Sequence, residues 1–254
     1  MCVLAPNPGP MTLDGTNTWV LAEPGSARSV VVDPGPPDPA HLDAVLAAAT
    51  AGGRRVGVVL LTHWHPDHSQ AAKAFAALAD APVRAVDPVY RVGGPRGVGL
   101  GLGPDEELDV DGLRIRVLAT PGHTSDSVSF LLPAERAVLT GDTVLGRGTT
   151  MIYHPDGQLG PYLDSLRALR RLAGAGSVER VLPGHGPALA DAAGAFDHYL
   201  AHRAERLAQV EAAVAGGART APEVVAVVYA DVDPLLWPAA EMSVRAQLEH
   251  LGVF

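Results

Sequence analysis

The sequence predicts an α/β domain followed by a small all-helical segment. Three observations carry this. Through residues 1–190, short apolar runs of strand length alternate with alanine- and leucine-rich stretches of helical period. Histidines and aspartates sit just past several of those runs, next to glycines. From Asp191 onward only helical patterns remain. The expected division is therefore 1–190 and 191–254, within the usual size range of one large domain plus an appendage.

Taken in order, Asn17 to Glu23 and Ser29 to Val32 read as two strands turning at Gly25-Ser26, the second running into Asp33-Pro34-Gly35. Ala40 to Ala51 has helical period. Val56 to Leu61 is a continuous β-branched and leucine run, the pattern of a strand buried on both faces, and it ends at Thr62-His63. Ser69 to Asp80 reads as a helix. Arg91 to Pro104 is glycine-rich but neither follows a clear strand nor opens a clear helix, so a mobile loop is expected rather than a nucleotide site, with Arg91 and Arg96 as candidate lid residues.

Strands follow at Leu113 to Leu118, Val128 to Leu132, Ala137 to Thr140 and, after a helix over Tyr162 to Leu172, Val178 to Leu182. Ala192 to Ala215 predicts one long helix or two. Thr220-Ala221-Pro222-Glu223 is a capping box opening another, and Ala239 to Leu251 predicts a last helix stopped by Gly252.

Bulk properties narrow the function classes. The net charge of -9 gives no general attraction to phosphate backbones, so nucleic-acid binding would need a local basic patch or metal ions. The single cysteine, Cys2, allows no internal disulfide. The N-terminal stretch lacks a basic region followed by an apolar one, and no run approaches the ~20 apolar residues of a membrane span, so a soluble cytoplasmic protein is expected. Gly-x-Ser-x-Gly, Ser-x-x-Lys and Gly-Lys-Ser/Thr are missing, which leaves serine and thiol nucleophiles without support.

The chemistry is concentrated in His63-Trp64-His65-Pro66-Asp67-His68. With 10 histidines in 254 residues, three in one hexamer is improbable by chance. Three imidazoles and a carboxylate suit zinc, and iron or manganese accept the same donors. Further on come Gly122-His123, Gly141-Asp142 and Gly184-His185-Gly186, each just past a predicted strand. Donors at the ends of several strands can converge on one sheet edge.

This ordered set resembles the metallo-β-lactamase superfamily, whose pattern is His-x-His-x-Asp-His, then His, Asp and His. The resemblance implies a four-layer αββα sandwich. It implies one metal held by His63, His65 and His123, a second by Asp67, His68 and His185, and Asp142 bridging them, with Asp67 and Asp142 as candidate catalytic groups. Asp33 matches an aspartate that supports the ligand loop, and it also suits a turn before proline. The helix containing Tyr199-Leu200-x-His202-Arg203 and the helical tail resemble a β-lactamase-like subgroup that includes an endoribonuclease and carries a winged-helix-like C-terminal domain. Two departures stand out: Gln70 and Ala71 replace a frequent Gly-Gly, and Asp142 stands where true β-lactamases use cysteine.

Two ions together can lower the pKa of water from ~15.7 to about 7, so the expected function is a dinuclear hydrolase acting through a bridging hydroxide. Single-stranded RNA is the substrate favoured by the subgroup resemblance. A thioester of the hydroxyacylglutathione hydrolase type, or a lactone, is the alternative. Arg147, Thr149, Thr150, Tyr153 and His154 are the expected substrate contacts, and His41, His198, His202 and His250 read as ordinary packed or surface histidines. The tail carries arginines offset by glutamates, which argues against DNA binding and leaves a partner-binding, dimer-forming or lid role.

Overall fold

A computed structural model describes residues 1–93 and 100–253. Two five-stranded sheets face each other. The first is ordered β1 (Cys2–Leu4), β2 (Asn17–Leu21), β3 (Arg28–Val32), β4 (Arg55–Leu60), β5 (Val83–Arg84). The second is ordered β10 (Arg180–Pro183), β9 (Ala137–Gly141), β8 (Val128–Leu132), β7 (Leu113–Ala119), β6 (Glu107–Val110). Helices α1 (Pro39–Thr50), α2 (Pro66–Ser69) and α3 (Ala72–Ala79) belong to the first half, and α4 (Leu159–Gly174) to the second.

The period of the strands explains the four layers. Val30, Val32, Val58 and Leu60 point between the sheets, where they meet Ile115, Val117, Phe130 and Leu139. Their neighbours Val31 and Val59 point outward into a second core with Val45 of α1 and Phe75 of α3. Because β3 and β4 are covered on both faces, their sequences run apolar without alternation. Each such buried side chain contributes ~1.5–3 kcal/mol. On the far side, Val138 and Val181 pack under Tyr162, Leu166 and Leu169 of α4.

Direction places the site. β7 and β9 both run antiparallel to β8, and β10 runs parallel to β9, so β7, β9 and β10 end on the same edge. β4 delivers its C-terminal end to that edge of the first sheet: Val128 N donates to Thr62 O at 2.8 Å. Asn17 Nδ2 and Trp19 Nε1, both on β2, each donate to Pro183 O at 3.0 Å, joining the sheets again at the end of β10.

The C-terminal part is helical: α5 (Ala192–Ala215), α6 (Ala221–Val228) and α7 (Trp237–His250). Of the two expectations for Ala192–Ala215, one helix is the outcome, capped by Asp191 accepting from Gly194 N at 2.9 Å. The capping box at Thr220 and Glu223 is present. The expected boundary at 190/191 falls at this cap, yet α5 serves both parts. Phe196 and Tyr199 belong to the core under α4, while Val210 and Ala213 pack with Val224 and Val244 of α6 and α7.

Short edge elements are not visible in the sequence: β1, β5 and β6 have three, two and four residues. The helix expected over Ser69 to Asp80 is α3, starting at Ala72, while the four-residue α2 over Pro66–Ser69, which begins inside the ligand hexamer, is not among the expected elements. The expected lid residue Arg91 is tied down, with Nε donating to Ala85 O at 3.0 Å, and Arg96 lies outside the described residues. Among the described residues no helix is long and apolar enough to cross a membrane.

Candidate metal centre

All seven sequence-predicted donors meet at the shared edge. They form two groups, His63, His65, His123 and Asp142, and Asp67, His68 and His185, with the donor atoms of each group within 4.8 Å of one another. In the first group, His65 Nδ1 lies 3.1 Å from His63 Nε2 and 3.0 Å from His123 Nε2. In the second, His185 Nε2 lies 3.1 Å from both His68 Nε2 and Asp67 Oδ2. Asp142 reaches both groups: its Oδ1 is 3.3 Å from His68 Nε2, and its Oδ2 is 3.4 Å from His185 Nε2 and 3.8 Å from His123 Nε2.

The surrounding hydrogen bonds set the tautomers. His123 Nδ1 donates to Met151 O at 2.7 Å and His185 Nδ1 to Gly15 O at 3.0 Å. Carbonyls only accept, so Nε2 of each neutral ring is a bare lone pair. Asp33 does the same for the other strand end. Its carboxylate accepts from Thr62 N (2.8 Å), Thr62 Oγ1 (2.7 Å) and His68 Nδ1 (2.9 Å). Having given its proton to Asp33, Thr62 Oγ1 accepts from His63 Nδ1 at 3.0 Å. Asp33 thus supports the ligand loop, and it also makes the turn before Pro34, at φ 52°.

Imidazole lone pairs ~3 Å apart repel unless a cation sits among them. Tetrahedral zinc with Zn–N of about 2.0–2.1 Å would separate its nitrogens by about 3.3 Å, close to the 3.0–3.1 Å found here. Asp142 Oδ1 is buried with no hydrogen-bond partner. Gly184 keeps the floor open: a Cβ there would lie 2.6 Å from Asp142 Oδ1 and 2.7 Å from His68 Cε1. The residues fit a pair of metal ions.

The two groups differ electrically. Burial depresses His63, His65 and His123, taking His65 to about 3 with help from the charge of His123. The second group goes the other way. Burial opposes protonation of His68 and His185, but Asp67, Asp142 and Asp33 hold His68 well above its usual value, and Asp142 with Asp67 pushes His185 up to about 9. The same imidazoles, acting against burial, hold the carboxyl of Asp142 well below the usual range, and Asp67 is lowered too. Both aspartates are therefore anionic at neutral pH, suited to bind cations or accept protons.

His65 is anchored differently. Its Nε2 is buried without a partner. Aromatic rings hold it instead: Trp64 at 4.5 Å and Tyr153 at 4.8 Å between centroids. Trp64 is in turn fixed by Nε1 donating to Asp156 Oδ2 at 3.1 Å.

A cleft of about 350 Å³ opens beside His123 and Asp142. Of the expected substrate contacts, Arg147, Thr149 and Thr150 line it. Arg147 is engaged with Asp14 through two hydrogen bonds, of 2.5 and 2.8 Å, and Thr150 Oγ1 lies 3.3 Å from His123 Nδ1. Tyr153 packs on His65, and His154 pairs with Glu249 of α7 at 3.1 Å. The C-terminal part also lines the cleft, through His202, Arg203 and Arg206 of α5, with Leu236 before α7 and Ser243 within it. His202, an ordinary helical histidine by its sequence, therefore faces the cleft.

Two facing sheets, helices outside, and a His/Asp centre with two donor groups on one edge define a metallohydrolase of the αββα class. The profile of the metallo-beta-lactamase superfamily matches residues 11–185, and that of a beta-lactamase associated winged helix domain matches residues 220–252. A beta-lactamase-like protein 2 homolog from Drosophila melanogaster is 32% identical over 98% of this chain and 86% of its own length. An atrochrysone carboxyl ACP thioesterase from Aspergillus fumigatus is 35% identical over 72% of this chain, which spans 55% of that protein. The crystal structure of a metallo-beta-lactamase family protein from Thermus thermophilus superposes with a TM-score of 0.79 at 25% identity, covering 99% of this chain and 92% of that one. The chain belongs to the metallo-β-lactamase superfamily, and it is a hydrolase of that fold.

Proposed function

We propose that this hydrolase cleaves a small acyl thioester, adding water to give a carboxylic acid and a thiol, at a centre of two zinc ions. The observation that carries this reading is the cleft beside His123 and Asp142. Its volume of about 350 Å³ is that of a small-molecule site, and Met11, Leu13, Leu145 and Leu236 give it an apolar wall for an acyl chain. The thioesterase among the similar proteins supports the same chemistry. An RNA strand, favoured by the sequence alone, finds no comparable support in a chain of charge -9.

His63, His65 and His123 would hold one ion, Asp67, His68 and His185 the other, and Asp142 would reach both. Bound there, the ions would supply Lewis acidity and lower the pKa of water toward neutrality. The protein's own contribution is orientation. Met151 O, Gly15 O, Thr62 and Asp33 lock four imidazoles with their lone pairs inward. Of the two carboxylates, Asp142 lines the cleft, and Asp67, with its side chain 27% exposed, is the more open to solvent and the better placed to exchange a proton with it.

The test is thiol release from short S-acyl substrates by zinc-loaded protein, run beside labelled single-stranded RNA and an Asp142→Ala variant. Thiol release lost in the variant is expected. RNA cleavage without thiol release would overturn the reading.

A further inference from the structure

α5 lines the cleft beside the metal centre with two arginines that have no carboxylate partner among the described residues. Arg203 is 4% exposed. One guanidinium nitrogen donates to Thr150 O, its carbon lies 5.1 Å from the centre of the Tyr162 ring, and Nε has no partner. Arg206 donates to Val228 O at 2.8 Å and to Gln209 Oε1 at 2.9 Å, and stacks on Tyr229 at 4.4 Å. No carboxylate among the described residues lies within 4.0 Å of either arginine. His202, on the same wall, has a buried Nδ1 without a partner.

What sets Arg203 apart is burial: it is 4% exposed, lines the cleft, and keeps its charge without a carboxylate beside it. Acids outnumber bases 28 to 19, and among the described residues nine arginines at the surface or half-buried take carboxylate partners, as Arg28 does with Asp111 and Arg245 with Glu241. A buried guanidinium left without a counter-charge is strongly destabilising unless something supplies one. Thr150 O and the Tyr162 ring hold Arg203 in place, but neither carries a full negative charge and Nε is left without a partner. The local field is felt by His202, pushed down to about 4 by burial and then by Arg203 and Arg206. Thr150 also connects this wall to the centre, since its carbonyl takes Arg203 and its hydroxyl lies 3.3 Å from His123 Nδ1.

We infer that Arg203, Arg206 and His202 form a subsite for an anionic group of the substrate, a carboxylate or a phosphate, next to the apolar wall that covers its hydrocarbon. The identity of the reacting bond rests on the thioester reading; the anion subsite does not. The anion comes either from the acyl half, as a second carboxylate, or from the thiol half, as a phosphate.

The experiment uses zinc-loaded protein and matched pairs differing only in that charge. The acyl arm compares S-glutaryl-N-acetylcysteamine with its methyl ester, and the thiol arm compares S-butyryl-4′-phosphopantetheine with S-butyryl-pantetheine. A second readout needs no turnover: calorimetric titration of glutarate against monomethyl glutarate, and of 4′-phosphopantetheine against pantetheine. The charged member of one pair is expected to show a KM and a Kd about 10-fold lower, as a charge-assisted hydrogen bond allows. Arg206→Gln should bring that ratio close to one, and Arg206→Glu should invert it. The arm that responds assigns the source. Equal binding of charged and neutral members in both arms overturns the subsite. Failure of every thioester to react, with the charge preference intact in the titrations, would overturn the thioester reading and leave the subsite standing.

Discussion

The two halves of the metal centre are built on opposite electrical plans. His63, His65 and His123 form a dry group whose rings are forced neutral by burial. His68 and His185 sit among Asp67, Asp142 and Asp33, which draw protons onto them. The first group attracts a cation by removing every alternative partner from its lone pairs. The second attracts it with negative charge and must first give up protons. The same donor types thus make two sites of different character, and the difference comes from what surrounds them.

Breaking both halves at once should have the largest effect. Gly184→Ala puts a carbon 2.6 Å from Asp142 Oδ1 and 2.7 Å from His68 Cε1. Metal content measured by mass spectrometry should fall below one ion per chain, with the circular dichroism spectrum retained. Two ions retained would mean that the floor yields.

Asp33→Asn should separate the halves. It keeps the shape but removes the carboxylate that orients His68 and takes the Thr62 proton. Changes to groups that orient ligands typically cost 10–100-fold in affinity. The loss should fall mainly on the ion held by His68 and His185. An equal loss at both would show that Thr62 and His63 transmit the change.

Proton release sharpens the comparison further. Without metal, His185 has a folded value of about 9 against a usual 6.5, so its proton stabilises the fold below pH 6.5 and that contribution is lost as pH rises through 9. His65, at about 3, is the reverse: its contribution holds above pH 6.5 and is lost as pH falls toward 3. At pH 7, zinc entering the second group should therefore expel at least one proton and zinc entering the first should expel none. Calorimetry in buffers of different ionisation enthalpy reads this directly. Identical release in both steps would erase the distinction.

The smallest effect concerns His65, which rings rather than hydrogen bonds hold in place. Asp156→Ala frees the Trp64 indole, together with Ser125 N and Oγ, and leaves every ligand intact. Zinc affinity of the first group should weaken by a few-fold, on the scale of one hydrogen bond, with a modest fall in Tm from the lost Ser125 bonds.

The sequence disclosed the donors because their types are rare and their spacing is ordered. All seven converge as the strand ends implied. It disclosed β3, β4, β8 and β9 because burial on both faces leaves long apolar runs. It did not disclose Met151 and Gly15 as orienting groups, since any residue offers a carbonyl. Nor did it disclose β5 and β6, whose two and four residues are too short to show a strand period. His202 and Arg203 escape a reading of the sequence for a related reason: a helical period says which face of α5 is apolar, but not that another face lines the same cleft as His123.

That one helix also governs how the two parts can be exchanged between related chains. A crossover placed before Ala192 would carry away Phe196 and Tyr199, and with Tyr199 the hydroxyl that accepts from Leu145 N, three residues past Asp142. Gly216-Gly217, between α5 and α6, is the natural joint, and the winged-helix profile begins just after it at residue 220. A chimera cut there keeps the cationic wall with the metals, and only the modules beyond it become interchangeable.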